Sequence, residues 1–64
     1  MLEYFVISHI TQDGDIIYYN EQNNLFVDRI DKSTWYENKV DALLTCRRYL
    51  RSYININIKR IGDV

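Results

Sequence analysis

The chain has 64 residues, of which 47% are hydrophobic and 27% are charged, and its formal net charge is −1. This composition is that of a globular protein and not of a disordered one, and the length predicts a single domain over residues 1–64. One cysteine and one histidine exclude an internal disulfide bond and a closed zinc site, which needs four such ligands. We expect no cofactor.

The first residues of the chain and the length of its apolar runs predict the cellular location of the protein. Residues 1–10 lack the basic segment, long apolar run and cleavage site of a signal peptide. The longest apolar runs, residues 4–7 and 16–19, are far shorter than a membrane span. The unpaired Cys46 fits a reducing compartment. These features predict a cytoplasmic protein without a membrane partner.

Charge is divided unevenly between the two halves of the chain. Residues 1–32 hold two basic and six acidic residues, a balance of −4. Residues 33–64 hold six basic and three acidic residues, a balance of +3. Because charged runs usually face the solvent, we expect acidic loops in the first half and a basic helix in the second.

Two strands joined by a tight turn are predicted at the start of the chain. Residues 2–10 are rich in β-branched and aromatic side chains, and residues 15–19 repeat this composition. Between them lie Asp13 and Gly14, a pair that favours a hairpin because glycine accepts a positive φ at no steric cost. After a polar turn, residues 25–27 form either a third short strand or the end of a longer hairpin arm.

A helix is predicted over residues 39–52, after a turn at residues 31–34 and a short extended piece at Trp35 and Tyr36. Asn38 is a favourable N-cap, and the carboxylate of Asp41 suits a helix N-terminus. Residues at three- and four-residue spacing predict the apolar face of this helix, namely Val40, Leu43, Cys46 with Arg47, and Leu50.

The last part of the chain completes the predicted fold. Isoleucine alternates with polar residues over 54–59, which predicts a strand with one apolar and one wet face. The order β-β-(β)-α-β predicts an α+β fold, a small three- to four-stranded, mainly antiparallel sheet with one helix on one face. The first two strands, however, are apolar on both faces. Either Trp35 and residues 25–27 fold across the second face, or another chain covers it.

Three groups of residues invite a catalytic or metal-binding interpretation, and each has a simpler one. His9 follows Ser8, but neighbours in a strand point to opposite faces, so we interpret His9 as a surface residue at a strand end. Cys46 is interpreted as a small buried hydrophobe. Asp13 and Asp15 are interpreted as turn residues, because the later positions of a calcium-binding loop are not filled. No catalytic or metal-ligating residue is assigned, and we expect no enzyme.

Basic and aromatic residues in the second half make a nucleic-acid surface one candidate. Arginine and lysine neutralise phosphates, and tyrosine rings stack on unpaired bases. The candidate residues are Arg47, Arg48, Arg51, Tyr53, Lys59 and Arg60. A sequence pI of about 5.6 is low for such a domain. Matching of the helix dipole and salt bridges to the acidic half explain the same charges.

A protein interface is the other candidate. Leu44 flanked by Arg48 and Arg51 suits an interface, where arginine is enriched, and the aromatic surplus supplies anchors. The candidate residues are Phe5, Ile7, Tyr19, Trp35, Tyr36, Leu44, Arg48 and Arg51. About half of the aromatic residues must instead form the core of so small a domain. The small core also makes a homodimer the expected state.

Several short motifs recur together along the chain. They are residues 4–7, Asp13-Gly14, Tyr18-Tyr19, Phe26, Trp35-Tyr36, residues 39–43 and residues 56–58. Together they resemble the layout of small accessory proteins of tailed bacteriophages. Residues 35–42 in particular look like the aromatic strand, turn and helix start of such proteins.

The resemblance implies a role and a partner. Small phage proteins of this type bind a host protein and block it, in host takeover or in countering defences such as CRISPR nucleases, toxins or restriction enzymes. It implies a host protein as the main partner and the cytoplasm of a host bacterium as the location. A net charge of −1 does not favour DNA mimicry by the whole surface. A local acidic patch would draw on Asp13, Asp15, Glu21, Asp28 and Asp31.

Overall fold

A computed structural model describes residues 3–62 of the chain. It contains four strands, β1 (Tyr4–Ile10), β2 (Ile16–Asn20), β3 (Leu25–Val27) and β4 (Ile56–Ile61), and one α-helix, α1 (Lys39–Tyr49). A short 3-10 helix over Ile30–Lys32 lies between β3 and α1. The strands form one sheet in the order β3-β2-β1-β4, and every neighbouring pair is antiparallel. The predicted α+β fold is confirmed, with residues 25–27 as a separate third strand.

The register of β1 defines the two faces of the sheet. Ile7 lies opposite Ile58, and its side chain joins the core beneath α1. Its neighbours Val6 and Ser8 point the other way, since successive side chains of a strand alternate. We call the side of Ile7 the helix face and the side of Val6 the helix-free face.

The turn between β1 and β2 follows the predicted glycine chemistry. Gly14 has a φ of +91°, a left-handed conformation that costs a residue without Cβ little. Its N–H donates to the Thr11 carbonyl at 2.9 Å. The Thr11 hydroxyl accepts a hydrogen bond from the N–H of Asp15 at 3.0 Å. This hairpin brings Ile16 opposite Ile10 and sets the register of the first two strands.

The extended piece before the helix ties β1 and β2 together. The N–H of Thr34 donates to the Tyr19 carbonyl of β2 at 3.0 Å. Tyr36 and Phe5 of β1 exchange two backbone hydrogen bonds of 2.8 Å each. Trp35 lies between these two anchors. The side chain of Tyr36 therefore enters the core of the helix face, whereas Trp35 packs on the opposite face.

The start of α1 is as predicted. The side-chain oxygen of Asn38 accepts a hydrogen bond from the N–H of Asp41 at 2.9 Å and caps the first turn. The helix ends at Tyr49, three residues before its predicted end, and the N–H of Leu50 donates to the Cys46 carbonyl.

The face that α1 buries is not the predicted one. Ala42 and Thr45 are buried and Cys46 is partly buried, whereas Val40 and Leu43 are exposed. The predicted apolar face was wrong except at Cys46 and Leu50. The reason is volume: the helix face of the sheet already presents large side chains, so the helix packs closely through its small ones.

The last strand is shifted by two residues from its predicted start. Asn55 has a φ of +59°, which interrupts the extended backbone before Ile56. Ile54 is therefore left 75% exposed, outside the sheet. Within the strand, the predicted alternation places Ile56 and Ile58 against the core of the helix face.

The two faces of the sheet are covered in different ways. On the helix face, five buried residues form the core, namely Ile7, Tyr19, Tyr36, Ala42 and Leu50. On the helix-free face Val6 is fully buried, and Trp35 packs on Tyr4 with ring centroids 5.4 Å apart. The Trp35 indole N–H donates to the Ile30 carbonyl at 2.9 Å. Of the first predicted alternative, Trp35 does fold across part of the second face, but residues 25–27 do not, because they belong to the sheet.

Candidate interaction surface

The outward side of α1 carries apolar and basic side chains. Val40 is 62% exposed and Leu44 is 49% exposed, and four-residue spacing places them next to each other. Leu43 borders them and is 42% exposed. Three exposed arginines follow toward the end of the helix. We define the outer helix patch as Val40, Leu44, Arg47, Arg48 and Arg51.

A shallow cavity of about 310 Å³ borders the outer helix patch. Leu44 and Arg48 line it, and the carboxylate of Glu21 lies at its other side. Glu21 accepts hydrogen bonds from the Tyr36 hydroxyl at 2.8 Å and from the Thr45 hydroxyl at 3.3 Å. Burial raises the pKa of Tyr36, and the Glu21 carboxylate adds to the rise. Tyr36 therefore remains a protonated hydrogen-bond donor that positions Glu21 beside the patch.

Four of the predicted interface residues lie in or against the core. Ile7, Tyr19 and Tyr36 are buried under α1, and Phe5 is packed against them. The structure corrects their assignment as contact residues, because α1 covers the face from which they project. Trp35 is 39% exposed on the helix-free face. The remaining predicted interface residues, Leu44, Arg48 and Arg51, lie together in the outer helix patch.

The predicted nucleic-acid residues are distributed over several surfaces. Arg47, Arg48 and Arg51 belong to the outer helix patch. Lys59 lies opposite Val6, so its side chain is on the helix-free face, away from the helix. Arg60 forms an ion pair of 2.9 Å with Glu3. The basic residues of α1 and β4 therefore do not form one continuous surface.

Tyr53, the remaining nucleic-acid candidate, belongs to an aromatic cluster with His9. The His9 ring lies 5.5 Å from Phe26 and 5.4 Å from Tyr53, measured between centroids. Phe26 and Tyr53 are 5.1 Å apart in an edge-to-face arrangement. His9 was predicted to be a surface residue at a strand end; it lies at the end of β1 but is only partly exposed, since it shares its face with Ile7. Within residues 3–62 the His9 Nδ1 atom is buried and has no hydrogen-bond partner.

Cys46 lines a groove between α1 and β4. Burial raises the pKa of its thiol, so the thiol is held protonated and apolar and is not an activated nucleophile. The groove has a volume of about 390 Å³. We call it the edge groove, and it is lined by Lys39, Leu43, Cys46, Ile56, Asn57 and Ile58. The sequence did not reveal it, because it depends on β4 lying at the edge of the sheet.

The described part of the chain has neither a metal-ligand cluster nor a membrane-spanning helix. Within residues 3–62, no three Asp, Glu, His or Cys side chains come together as metal ligands. Asp13 and Asp15 lie in or beside the exposed turn between β1 and β2. In the same range, no helix has the length and hydropathy needed to cross a bilayer.

Known proteins offer no further guide to this surface. No family model matches the chain, and neither a curated protein nor a solved structure matches it.

Proposed function

We propose that this protein is a non-enzymatic binding module that modulates a partner protein by direct contact. The observation that carries the proposal is the orientation of α1. α1 turns its small residues Ala42 and Thr45 to the sheet and leaves its aliphatic residues Val40 and Leu44 to the solvent.

The energetics of burial favour such a contact. Fully burying one aliphatic side chain contributes roughly 1.5–3 kcal/mol. Single exposed aliphatic residues are ordinary on protein surfaces, but Val40, Leu43 and Leu44 adjoin one another. An apolar centre with arginine at its border is the composition of a protein interface. The outer helix patch has both parts, along α1 and in the turn that follows it.

The charges indicate the chemistry of the partner. Arg47, Arg48 and Arg51 are exposed around the patch and form no ion pair among the described residues. They fit a protein surface with acidic side chains around an apolar centre. The resemblance to small phage proteins predicts a bacterial protein that is inhibited by the contact. That part of the proposal depends on the resemblance alone.

Affinity capture from a bacterial lysate, with mass-spectrometric identification, tests the proposal. The test variant carries Arg48→Glu and Arg51→Glu. The control carries Arg29→Glu and Lys32→Glu, which change the net charge equally but lie near the 3-10 helix. We expect a stoichiometric partner that the wild type and the control retain and the test variant loses. Equal recovery by the two variants, with circular dichroism showing both folded, contradicts the assignment of the patch.

Nuclease treatment of the lysate and a gel shift distinguish protein binding from the nucleic-acid alternative. Phosphate contacts release counterions, so binding to a nucleic acid weakens steeply with salt. A gel-shift series at rising salt measures that dependence directly. If the captured partner survives nuclease treatment of the lysate and the gel shift is negative at low salt, the contact is with protein. If nuclease removes the partner, the alternative replaces the proposal.

A further inference from the structure

β4 is an edge strand, and its hydrogen-bonding pattern shows which of its groups face outward. Phe5 uses its backbone N–H and C=O on Tyr36, on the side of β1 away from β4. Its opposite residue, Arg60, is therefore a non-hydrogen-bonded pair partner, with N–H and C=O pointing away from β1. Alternation gives the same outward direction to the backbone groups of Ile58 and Ile56. The bond from the Ile10 N–H to the Asn55 carbonyl agrees with this assignment.

The edge groove runs beside these outward groups on the helix face. Ile56 and Ile58 form one wall and Leu43 and Cys46 the other. Its volume of about 390 Å³ is that of a site for a few apolar side chains. An unpaired strand edge next to an apolar groove is the arrangement by which domains bind an extended peptide as an added strand.

We propose that β4 and the edge groove bind an extended segment of the partner protein that alternates aliphatic and acidic residues and adds to the sheet as a fifth, antiparallel strand. This inference rests on the proposed function, since it describes how part of that partner is held. The groove is continuous with the outer helix patch through Leu43, which borders both.

The alternation follows from the two faces of β4. Segment residues opposite Ile56 and Ile58 point to the helix face and enter the groove, so they must be aliphatic. Residues opposite Asn57 and Lys59 point to the helix-free face. An acidic side chain opposite Lys59 forms a favourable cross-strand pair. Lys39 lines the groove itself, on the helix face.

Charge argues against a second copy of the chain as the occupant. β4 contains Lys59 and Arg60 and no acidic residue. Pairing two β4 strands would gather the cations of both copies along one seam. Lysine on an edge strand opposes this kind of self-pairing. An acidic residue opposite Lys59 instead neutralises that charge, whereas Arg60 is already paired with Glu3.

Fluorescence anisotropy with synthetic peptides tests the inference. The probe is a labelled peptide of about seven residues that alternates glutamate with valine, to match the length of a typical strand. We expect the full-length protein to bind it and to bind a lysine–valine peptide about tenfold more weakly, because the cations then repel. Absence of binding to the glutamate–valine peptide overturns the inference.

Backbone methylation of the peptide identifies strand addition. Valines opposite Ile58 donate their N–H to β4, whereas the glutamate N–H groups point away. N-methylation at the valines should weaken binding about tenfold, because the methyl group removes an N–H donor and leaves a backbone carbonyl of β4 without its hydrogen bond. N-methylation at the glutamates should change binding little. Equal effects of the two methylated peptides show that no strand is added and overturn the inference.

Protein variants locate the site. Leu43→Gln places a polar group in the groove wall, whereas Leu25→Gln changes a similarly exposed leucine in β3, at the opposite edge of the sheet. Only the first should weaken peptide binding. Lys59→Glu should reverse the preference between the glutamate and lysine peptides. Equal weakening by Leu43→Gln and Leu25→Gln, with both variants folded, places the peptide elsewhere and overturns the inference.

The outcomes separate this inference from the proposed function. If the partner is captured through the outer helix patch but no peptide binds, the inference is wrong and the proposed function stands. If the Arg48 and Arg51 variant keeps its partner while the peptide data hold, the proposed patch is wrong and the groove alone binds. If sedimentation shows a dimer that Leu43→Gln dissociates, a second copy occupies the groove and the inference is wrong.

Discussion

The two faces of the sheet reach burial by different means. On the helix face, a complete helix covers Ile7 and Tyr19, and the large side chains come from the sheet. On the helix-free face, Val6 is buried just as fully without α1, and Trp35 packs on Tyr4, two residues before Val6 on the same face. Two residues that are equally buried can therefore contribute differently to the free energy of unfolding.

The largest expected effect comes from a matched pair of substitutions in β1. Ile7→Ala should lower the free energy of unfolding by about 2–5 kcal/mol, because it opens a cavity between helix and sheet. Val6→Ala, also at a fully buried site, should cost less, because fewer atoms are removed and the thin cover can collapse. Urea unfolding measures both. The total free energy of unfolding of a domain of this size is roughly 3–10 kcal/mol. Ile7→Ala can therefore leave a fraction of the molecules unfolded.

Removing the tryptophan tests the cover of the second face. Trp35→Ala should cost about 2–3 kcal/mol, below the usual range for a buried tryptophan, because the side chain is partly exposed. The loss includes the contact with Tyr4 and the bond to the Ile30 carbonyl. Thermal unfolding checks it. A loss as large as that of Ile7→Ala would show that the two faces contribute equally.

The buried phenol of Tyr36 gives the helix face a dependence on pH. Because burial raises the pKa of Tyr36 in the folded state, folding favours the protonated form. Its contribution is complete below about pH 10, the ordinary pKa of tyrosine, and is lost as the pH rises through the raised value. Tyr36→Phe should cost about 1.5 kcal/mol at neutral pH, since a hydrogen bond to a carboxylate is lost.

The same variant provides the control for the alkaline loss. Urea unfolding at pH 9 and at pH 11 should show a smaller fall in stability for Tyr36→Phe than for the wild type. An identical fall in the two proteins would show that other groups cause the alkaline loss.

The smallest expected effect concerns the start of α1. Asn38→Ala removes the oxygen that caps the first turn and should cost about 1 kcal/mol. Asn38→Asp keeps a capping oxygen and is the control. Chemical denaturation separates the two. If both variants lose the same amount, packing of α1 on the sheet fixes its start and the cap contributes little.

Local rules predicted much of the fold. The turn at Gly14, the cap at Asn38 and the alternation of Ile56 and Ile58 each depend on residues close in sequence. These three predictions agree with the structure because a turn, a cap or a strand depends on only a few residues that are adjacent in sequence.

The rest depends on packing that no single segment specifies. Val40 and Leu43 have helical spacing, yet α1 buries Ala42 because Tyr19 and Tyr36 fill the space from the other side. The edge groove depends on where β4 lies in the sheet. Of the outer helix patch, Leu44, Arg48 and Arg51 were predicted as interface residues and Arg47 as a nucleic-acid candidate. The aromatic candidates could not be divided between core and surface without the fold.

The short segment from Thr34 to Tyr36 has a consequence for how the molecule comes apart. Its neighbouring residues Trp35 and Tyr36 belong to opposite faces, and its backbone is bonded to both β1 and β2. Local unfolding of either face would therefore displace the residue that packs on the other face. The segment therefore couples the two layers into one cooperative unit. Amide hydrogens on the two sides of the sheet should exchange together, with a single opening free energy.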